Sequence, residues 1–176
     1  MTIQNATLID WPSIKAIYIE GIETGHATFV TACGIPSGEE WFAKKIDNTV
    51  FKATDEQGKI IGWAALQAIS GACSYAGVAE VSVYVSQSAR GQGVGKSLLQ
   101  VLIEFAEANN IWTLQASIFP ENIGSMKLHQ TKDFTTIGRR KAIGQLNGTW
   151  RDEILLERRS TVLFWALLPF PSSRGE

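Results

Sequence analysis

The sequence has few of the features that mark secreted, metal-binding, nucleic-acid-binding or membrane proteins. Its 176 residues include two cysteines, Cys33 and Cys73, which form neither a disulfide framework nor a metal-ligand cluster. The net charge is −1 and no basic run occurs, which argues against nucleic acid as a partner, since phosphate backbones require clustered Lys and Arg. No apolar run approaches the ~20 residues that span a bilayer. The first residues lack a cationic region followed by an apolar run, so we expect no signal peptide, no membrane contact and a cytoplasmic protein.

The remaining composition is that of an ordinary globular chain, with 45% hydrophobic and 19% charged residues. We predict one domain over residues 1–160. Residues 161–176 form a tail of unknown role, in which an apolar stretch is followed by Pro169 and Pro171. A homodimer is expected, with this tail as a candidate contact.

Hydrophobic periodicity predicts an α/β protein with a mixed sheet, in the order β-α-α-β-β-β-α-β-α-β-β. A capping box, Ser37-x-x-Glu40, marks the start of the second helix. The turn 55–58 predicts a hairpin. The predicted strands are 2–8, 50–54, 59–68, 79–85, 111–118, 134–141 and 150–159; the helices begin after Asp10, Ser37, Gly93 and residue 121 or 122.

The stretch 78–99 predicts a strand, a tight glycine turn and a helix. Apolar residues alternate from Ala79 to Val85, and helical spacing follows from Val94 to Phe105. Glycines at the turn allow close approach of a ligand, and the free N–H groups and dipole of the helix start favour anions. The turn, Arg90-Gly91-Gln92-Gly93-Val94-Gly95-Lys96, is therefore predicted to bind a di- or polyphosphate.

Spacing separates three phosphate-binding patterns. The mononucleotide loop places its first glycine where Arg90 stands, so that pattern fails by one residue. The dinucleotide pattern G-x-G-x-x-G fails from Gly91 and from Gly93, because Lys96 and Leu98 occupy the last position. The remaining pattern, Arg/Gln-x-x-Gly-x-Gly/Ala, fits Arg90, Gly93 and Gly95.

This last pattern resembles the pyrophosphate loop of the GCN5-related N-acetyltransferases (GNAT). Four further segments resemble the phosphinothricin and methionine sulfoximine acetyltransferase branch: AEVSVYV before the loop, Asn122-x-x-Ser125-x-x-Leu128-His129 after it, Ala27-Thr28-Phe29 and 148–152. The resemblance spans residues 3–159. It implies the GNAT fold, with a mostly antiparallel central sheet flanked by helices, acetyl-CoA as co-substrate and no metal.

The resemblance also assigns the residues that bind acetyl-CoA. Backbone groups of Val83, Tyr84 and Val85 are expected to pair with the pantetheine arm. The turn from Arg90 through Gly91, Gln92, Gly93, Val94 and Gly95 to Lys96 is expected to hold the pyrophosphate. Asn122 and Ser125 complete the predicted set.

Glu80 is the candidate general base. An amine must lose a proton before it attacks a thioester, and a nearby carboxylate can accept that proton. The alternative is a carboxylate on the exposed face of an edge strand; the resemblance favours the base. His129 is a candidate general acid for the departing thiol, and a structural histidine is its alternative.

The acceptor pocket is predicted from Thr28, Phe29, Glu80, Val81, Ser82 and Trp150, although core packing explains the aromatic residues nearly as well. Many relatives carry an arginine upstream of the catalytic Glu that can bind an amino-acid carboxylate, and residues 70–76 contain none. We expect backbone amides, Lys141 or Arg151 to take that role. Asp133 also stands where relatives have a glycine that ends the preceding helix in the left-handed conformation.

The favoured function is direct transfer of an acetyl group from acetyl-CoA to the primary amine of a small amino-acid analogue, such as phosphinothricin or methionine sulfoximine. The alternatives are a non-catalytic acyl-CoA sensor and an acetyltransferase for a polyamine or peptide. A covalent route through Cys33 or Cys73 is disfavoured, because neither has a histidine partner in a motif.

Overall fold

The computed structural model describes residues 1–163, so most of the predicted tail lies outside the described residues. Within them the elements follow the predicted order. The strands are β1 (Thr2–Asn5), β2 (Phe51–Thr54), β3 (Ile60–Ala68), β4 (Val78–Val85), β5 (Thr113–Ile118), β6 (Thr135–Leu146) and β7 (Thr149–Arg159). The helices are α1 (Trp11–Glu23), α2 (Gly38–Ala43), α3 (Val94–Ala108) and α4 (Ile123–Gln130).

One seven-stranded sheet runs through the domain in the order β1-β2-β3-β4-β5-β7-β6. Neighbouring strands are antiparallel except β4 and β5, which are parallel because α3 connects them. The prediction of a mixed, mostly antiparallel sheet flanked by helices is confirmed.

Helices cover both faces of the sheet. On one face, the fully buried Leu98, Leu99 and Leu102 of α3 pack against the sheet. On the other face, α1 and α2 surround Trp63 with Ile14 and Trp41. The alternation along β4 therefore has a structural meaning: odd-numbered positions from 79 to 85 face α3, and Glu80, Ser82 and Tyr84 face the side of α1 and α2.

The sequence motifs at the start of α2 and just after α4 have the expected local structure. The Ser37 hydroxyl accepts a hydrogen bond from the Glu40 amide (3.2 Å), and a Glu40 carboxylate oxygen accepts one from the Ser37 amide (3.0 Å), which is the capping box. Beyond α4, Asp133 adopts a left-handed φ of +63°. This strained conformation is the one expected where relatives carry glycine.

Two predicted strand boundaries were wrong by three or more residues. β1 ends at Asn5 rather than at residue 8. β6 continues to Leu146 rather than ending at 141, because residues 144–146 pair with β7 across the turn at Asn147 and Gly148. An irregularity between Arg140 and Gly144 interrupts the alternation there and hides the strand from a periodicity argument.

Candidate active site

β4 and β5 separate at the centre of the sheet. Their parallel pairing runs from Val78/Thr113 to Glu80/Gln115 and then stops. Beyond this point residues 81–85 pair with β3 but with no strand on the β5 side within residues 1–163. A cavity of about 930 Å³ opens between the diverging strands and reaches from the glycine turn to Glu80. Strand edges without partners carry free N–H and C=O groups, so Val83, Tyr84 and Val85 can pair with an extended ligand here.

The turn before α3 is built for an anion. Gly91 and Gly93 have φ values of +75° and +83°, which side chains rarely adopt. The first hydrogen bond of α3 runs from the Ser97 amide to the Gly93 carbonyl (3.0 Å). The amides of residues 94–96 therefore have no carbonyl partner in the described part of the chain, and the helix dipole makes this end positive.

Two side chains brace this turn. Arg90 Nε donates to the Val85 carbonyl (3.3 Å), and Gln92 Nε2 donates to the Ser88 carbonyl (2.8 Å). Arg90 and Lys96 line the cavity, whereas Gln92 does not. At Gly95, a Cβ atom would lie 3.2 Å from Leu128 Cδ2, so glycine lets α3 approach α4.

Glu80 lies at the opposite end of the cavity from the glycine turn. It is half-buried on β4, directly opposite Gln67 of β3. A second carboxylate, Glu153 of β7, lines the same region and is bound by Arg140 at 2.6 Å. Burial raises the pKa of Glu153; Arg140 opposes this shift and the charge of Glu80 adds to it. Two acidic groups at this end favour a cationic amine.

A lysine lies among these groups. Lys45, just beyond α2, donates to Gln67 Oε1 (2.9 Å), and its ammonium lies 4.9 Å from the centroid of the Trp41 ring. Burial lowers the pKa of Lys45 to about 8, and the negative charge of Glu80 opposes part of that shift. No motif in the sequence pointed to Lys45 or Glu153, because each comes from an element far from the glycine turn in the chain.

The residues predicted at α4, Asn122, Ser125 and His129, form hydrogen bonds mainly with each other and with nearby backbone groups. Asn122 caps the helix by accepting from the Ser125 amide (3.1 Å), and its Nδ2 donates to the His26 carbonyl (3.2 Å). His129 Nδ1 donates to the Ser125 carbonyl (2.8 Å), which leaves the buried Nε2 as an acceptor without a partner among the described residues. Burial lowers the pKa of His129. The neutral imidazole in this tautomer has no proton on Nε2 to give to a leaving thiolate.

Aromatic residues form the wall near Glu80. Thr28 and Phe29 line the cavity, with Val81 and Ser82 of β4. The Tyr84 ring stacks on Trp63 (centroids 4.5 Å apart) and meets Tyr18 edge to face. Trp63 was predicted as core, which it is, but it also lines the cavity, as do Tyr18 and Trp41.

Three residues predicted for the acceptor pocket lie elsewhere. Trp150 is 61% exposed and lines a separate, shallower depression on the β6–β7 hairpin. Arg151 lies in that depression too, bound to Glu121 (3.1 Å) and to the Gly25 carbonyl (3.2 Å). Lys141 is exposed on β6 and lines neither the cavity nor this depression. None of the three lines the cavity that contains Glu80.

Within residues 1–163, no group of His, Cys, Asp and Glu could hold a metal ion, and no helix is long and apolar enough to cross a membrane.

Comparison with known proteins agrees with this geometry. The family described as acetyltransferase (GNAT) domain matches residues 3–155, and the chain belongs to that family. It is accordingly an acetyl-CoA-dependent N-acetyltransferase, and its relatives point to one branch. The L-methionine sulfoximine/L-methionine sulfone acetyltransferase of Pseudomonas aeruginosa is 31% identical, over 86% of this chain and 90% of the relative. The phosphinothricin N-acetyltransferase of Alcaligenes faecalis is 32% identical, over 85% of this chain and 77% of the relative.

Solved structures show the same likeness. A phosphinothricin acetyltransferase from Sinorhizobium meliloti, crystallised in complex with acetyl-CoA, superposes with a TM-score of 0.81. It is 32% identical, and the match covers 90% of this chain and 87% of that one.

Proposed function

We propose that the protein transfers the acetyl group of acetyl-CoA to the α-amine of a small amino-acid analogue, of the methionine sulfoximine, methionine sulfone or phosphinothricin kind. The observation that carries the proposal is one cavity that joins an anion-binding helix start to a carboxylate across an unpaired strand edge. The names of the relatives support the acceptor class.

The first role of the chain is to hold acetyl-CoA. The free amides of residues 94–96 and the positive helix start bind the pyrophosphate, with Arg90 and Lys96 adding charge. The open edge of β4 at residues 83–85 pairs with the pantetheine amides. This places the thioester where β4 and β5 separate, next to Glu80.

Glu80 then acts on the acceptor. The substrate ammonium binds near Glu80 and Glu153, and Glu80 accepts a proton directly or through water. The neutral amine attacks the thioester carbonyl, the C–S bond breaks, and CoA leaves as a thiolate that takes up a proton. Because a thiol pKa lies near 8.5, the leaving group needs little help. The His129 tautomer fits this view, although a role for His129 as general acid stays a prediction to be tested.

Transfer occurs directly in a ternary complex. Cys33 and Cys73 are both exposed and neither lines the cavity, so a covalent acyl-cysteine step finds no support. A sensor without catalytic activity would need no carboxylate at the thioester end. A polyamine acceptor is disfavoured by Lys45, whose charge would repel a second ammonium group.

The test is a thiol-release assay with acetyl-CoA over a panel of amines: methionine sulfoximine, methionine sulfone, phosphinothricin, common amino acids, spermidine and a lysine peptide. We expect the first three to give the highest kcat/KM. Release of CoA with spermidine or the peptide ahead of all amino acids would contradict the acceptor class. Binding of acetyl-CoA with no turnover on any amine would favour the sensor.

A homodimer and a cytoplasmic location belong to the same proposal. The dimer is supported by the outer strand β6, whose Ile137 and Ile143 are exposed on a free sheet edge of the described residues. Light scattering during size-exclusion chromatography tests it, and a monomer at micromolar concentration would contradict it. Fractionation of cells expressing the protein tests the location.

A further inference from the structure

Lys45 has the placement of a ligand-binding cation. Its backbone amide donates to the Phe42 carbonyl (2.9 Å), which fixes the chain just after α2. Its ammonium lies over the Trp41 ring and donates to Gln67 Oε1 at 2.9 Å. The side chain is half-buried and lines the same cavity as Glu80.

This charge is not neutralised by a close partner. No carboxylate of the described residues lies within ion-pair distance of Lys45, and Gln67 offers it a neutral oxygen. A partly buried ammonium without an anion is costly, and burial lowers its pKa to about 8. An anionic ligand would remove that cost.

The other cations of the cavity serve its far end or are engaged. Among the described residues, Arg90 and Lys96 lie at the glycine turn and face the phosphate site. Arg151 does not line the cavity and is bound to Glu121 at its rim, and Arg140 is bound to Glu153. Lys45 is therefore the cation that stands beside Glu80.

The register of the sheet brings the two charged groups to neighbouring positions. Gln67, the hydrogen-bond acceptor of Lys45, is directly opposite Glu80 in the β3–β4 pair, and such neighbours have Cα atoms about 4.5–5.5 Å apart. The ammonium and carboxylate of an α-amino acid are attached to one carbon. One small molecule can thus place its amine at Glu80 and its carboxylate at Lys45.

We propose that Lys45, held by Gln67, binds the carboxylate of the acceptor and restricts the substrates to amino acids with a free carboxylate. The proposal rests on the proposed acetyltransferase function. In this proposal the carboxylate is recognised by Lys45 rather than by Lys141 or Arg151, neither of which lines the cavity.

The experiment compares L-methionine sulfone with its carboxamide as acceptors. Loss of a charge-assisted hydrogen bond predicts that Lys45→Met lowers kcat/KM for the acid roughly 10- to 100-fold. The loss for the amide should be clearly smaller, because its oxygen can accept a hydrogen bond but carries no negative charge to attract the ammonium. Lys45→Arg should retain most of the activity on the acid. Lys44→Met, which removes the neighbouring exposed lysine, is the matched control and should leave the acid-to-amide ratio unchanged.

The pH dependence gives a second readout. The charged groups acting on Lys45 are Glu80 of β4, which raises its pKa, and Lys44, which lowers it. The negative charge of Glu80 also raises the pKa of Glu153 of β7. Lysine loses its charge as the pH rises through about 8, whereas arginine keeps it. On the acid, the ratio of wild-type to Lys45→Arg kcat/KM should therefore fall above that pH. Comparing one substrate cancels the titration of its own amine.

One outcome would overturn the proposal: an acid-to-amide ratio of kcat/KM that Lys45→Met leaves unchanged, whether both activities are kept or both fall by the same factor. A failure of the proposed acetyltransferase function can be distinguished from a failure of the Lys45 proposal. If no amine is acetylated, calorimetric titration of methionine sulfone into the CoA-saturated protein tests Lys45 alone. Binding that Lys45→Met abolishes supports the carboxylate site, and equal or absent binding in wild type and variant refutes it.

Discussion

Replacing Gly93 by valine tests the phosphate site, and Gly58 provides a matched control. Both glycines have left-handed φ values, +83° and +81°, and at both an added Cβ would meet no atom within 4 Å. Each valine should therefore cost at least about 1–2 kcal/mol of stability for backbone strain alone. The space that the added side chain would enter differs between the two sites. At Gly93 this space is part of the cavity, whereas Gly58 lies at the turn between β2 and β3.

The two variants should differ only when acetyl-CoA is present. At a concentration of about 100 times Kd, a ligand stabilises the folded state by about 2.7 kcal/mol. For a chain of this length each kcal/mol shifts Tm by roughly 2–4 °C, which predicts a rise of about 5–11 °C for wild type. Gly58→Val should show the same rise from a lower starting Tm. In Gly93→Val the side chain occupies the phosphate position, and even tenfold weaker binding would reduce the stabilisation to about 1.4 kcal/mol.

Thermal unfolding with and without acetyl-CoA measures this, with ATP and NAD as comparison ligands that should give no rise. A full acetyl-CoA shift in Gly93→Val would refute the phosphate assignment. A reduced shift in Gly58→Val would show that strain, rather than occupation of the site, weakens binding. Stabilisation of wild type by ATP but not by acetyl-CoA would contradict the reading of the glycine turn.

Three further outcomes follow from the geometry. Glu80→Gln should lower kcat roughly 10²–10⁴-fold, with the acetyl-CoA-induced Tm rise intact and the loss shrinking at high pH, where the amine is already neutral; full activity at neutral pH would remove Glu80 from the mechanism. His129→Phe should keep kcat within about tenfold, since a general acid is worth 10²–10⁴; a larger loss without loss of stability would assign it the acid role. Asp133→Gly should raise the free energy of unfolding in urea by about 0.5–1 kcal/mol by relieving the left-handed φ, whereas Asp133→Ala should not.

The local chemistry of the chain could be predicted from the sequence. The order of strands and helices, the capping box at Ser37, the glycine turn before α3 and the left-handed Asp133 each depend on residues a few positions apart. The faces of β4 were predictable for the same reason, because alternation alone puts Glu80 opposite to the α3 side. Such features need only backbone geometry and periodicity.

What required the tertiary structure is the acceptor end of the cavity. Lys45 meets Glu80 through Gln67, and Glu153 joins them from β7, because strand order and register bring together positions 35 to 73 residues from Glu80. The β6–β7 hairpin takes Trp150 and Arg151 out of the pocket in which the sequence placed them. No periodicity encodes these distances, since they follow from where the pairing of β4 with β5 stops and how each helix packs on the sheet.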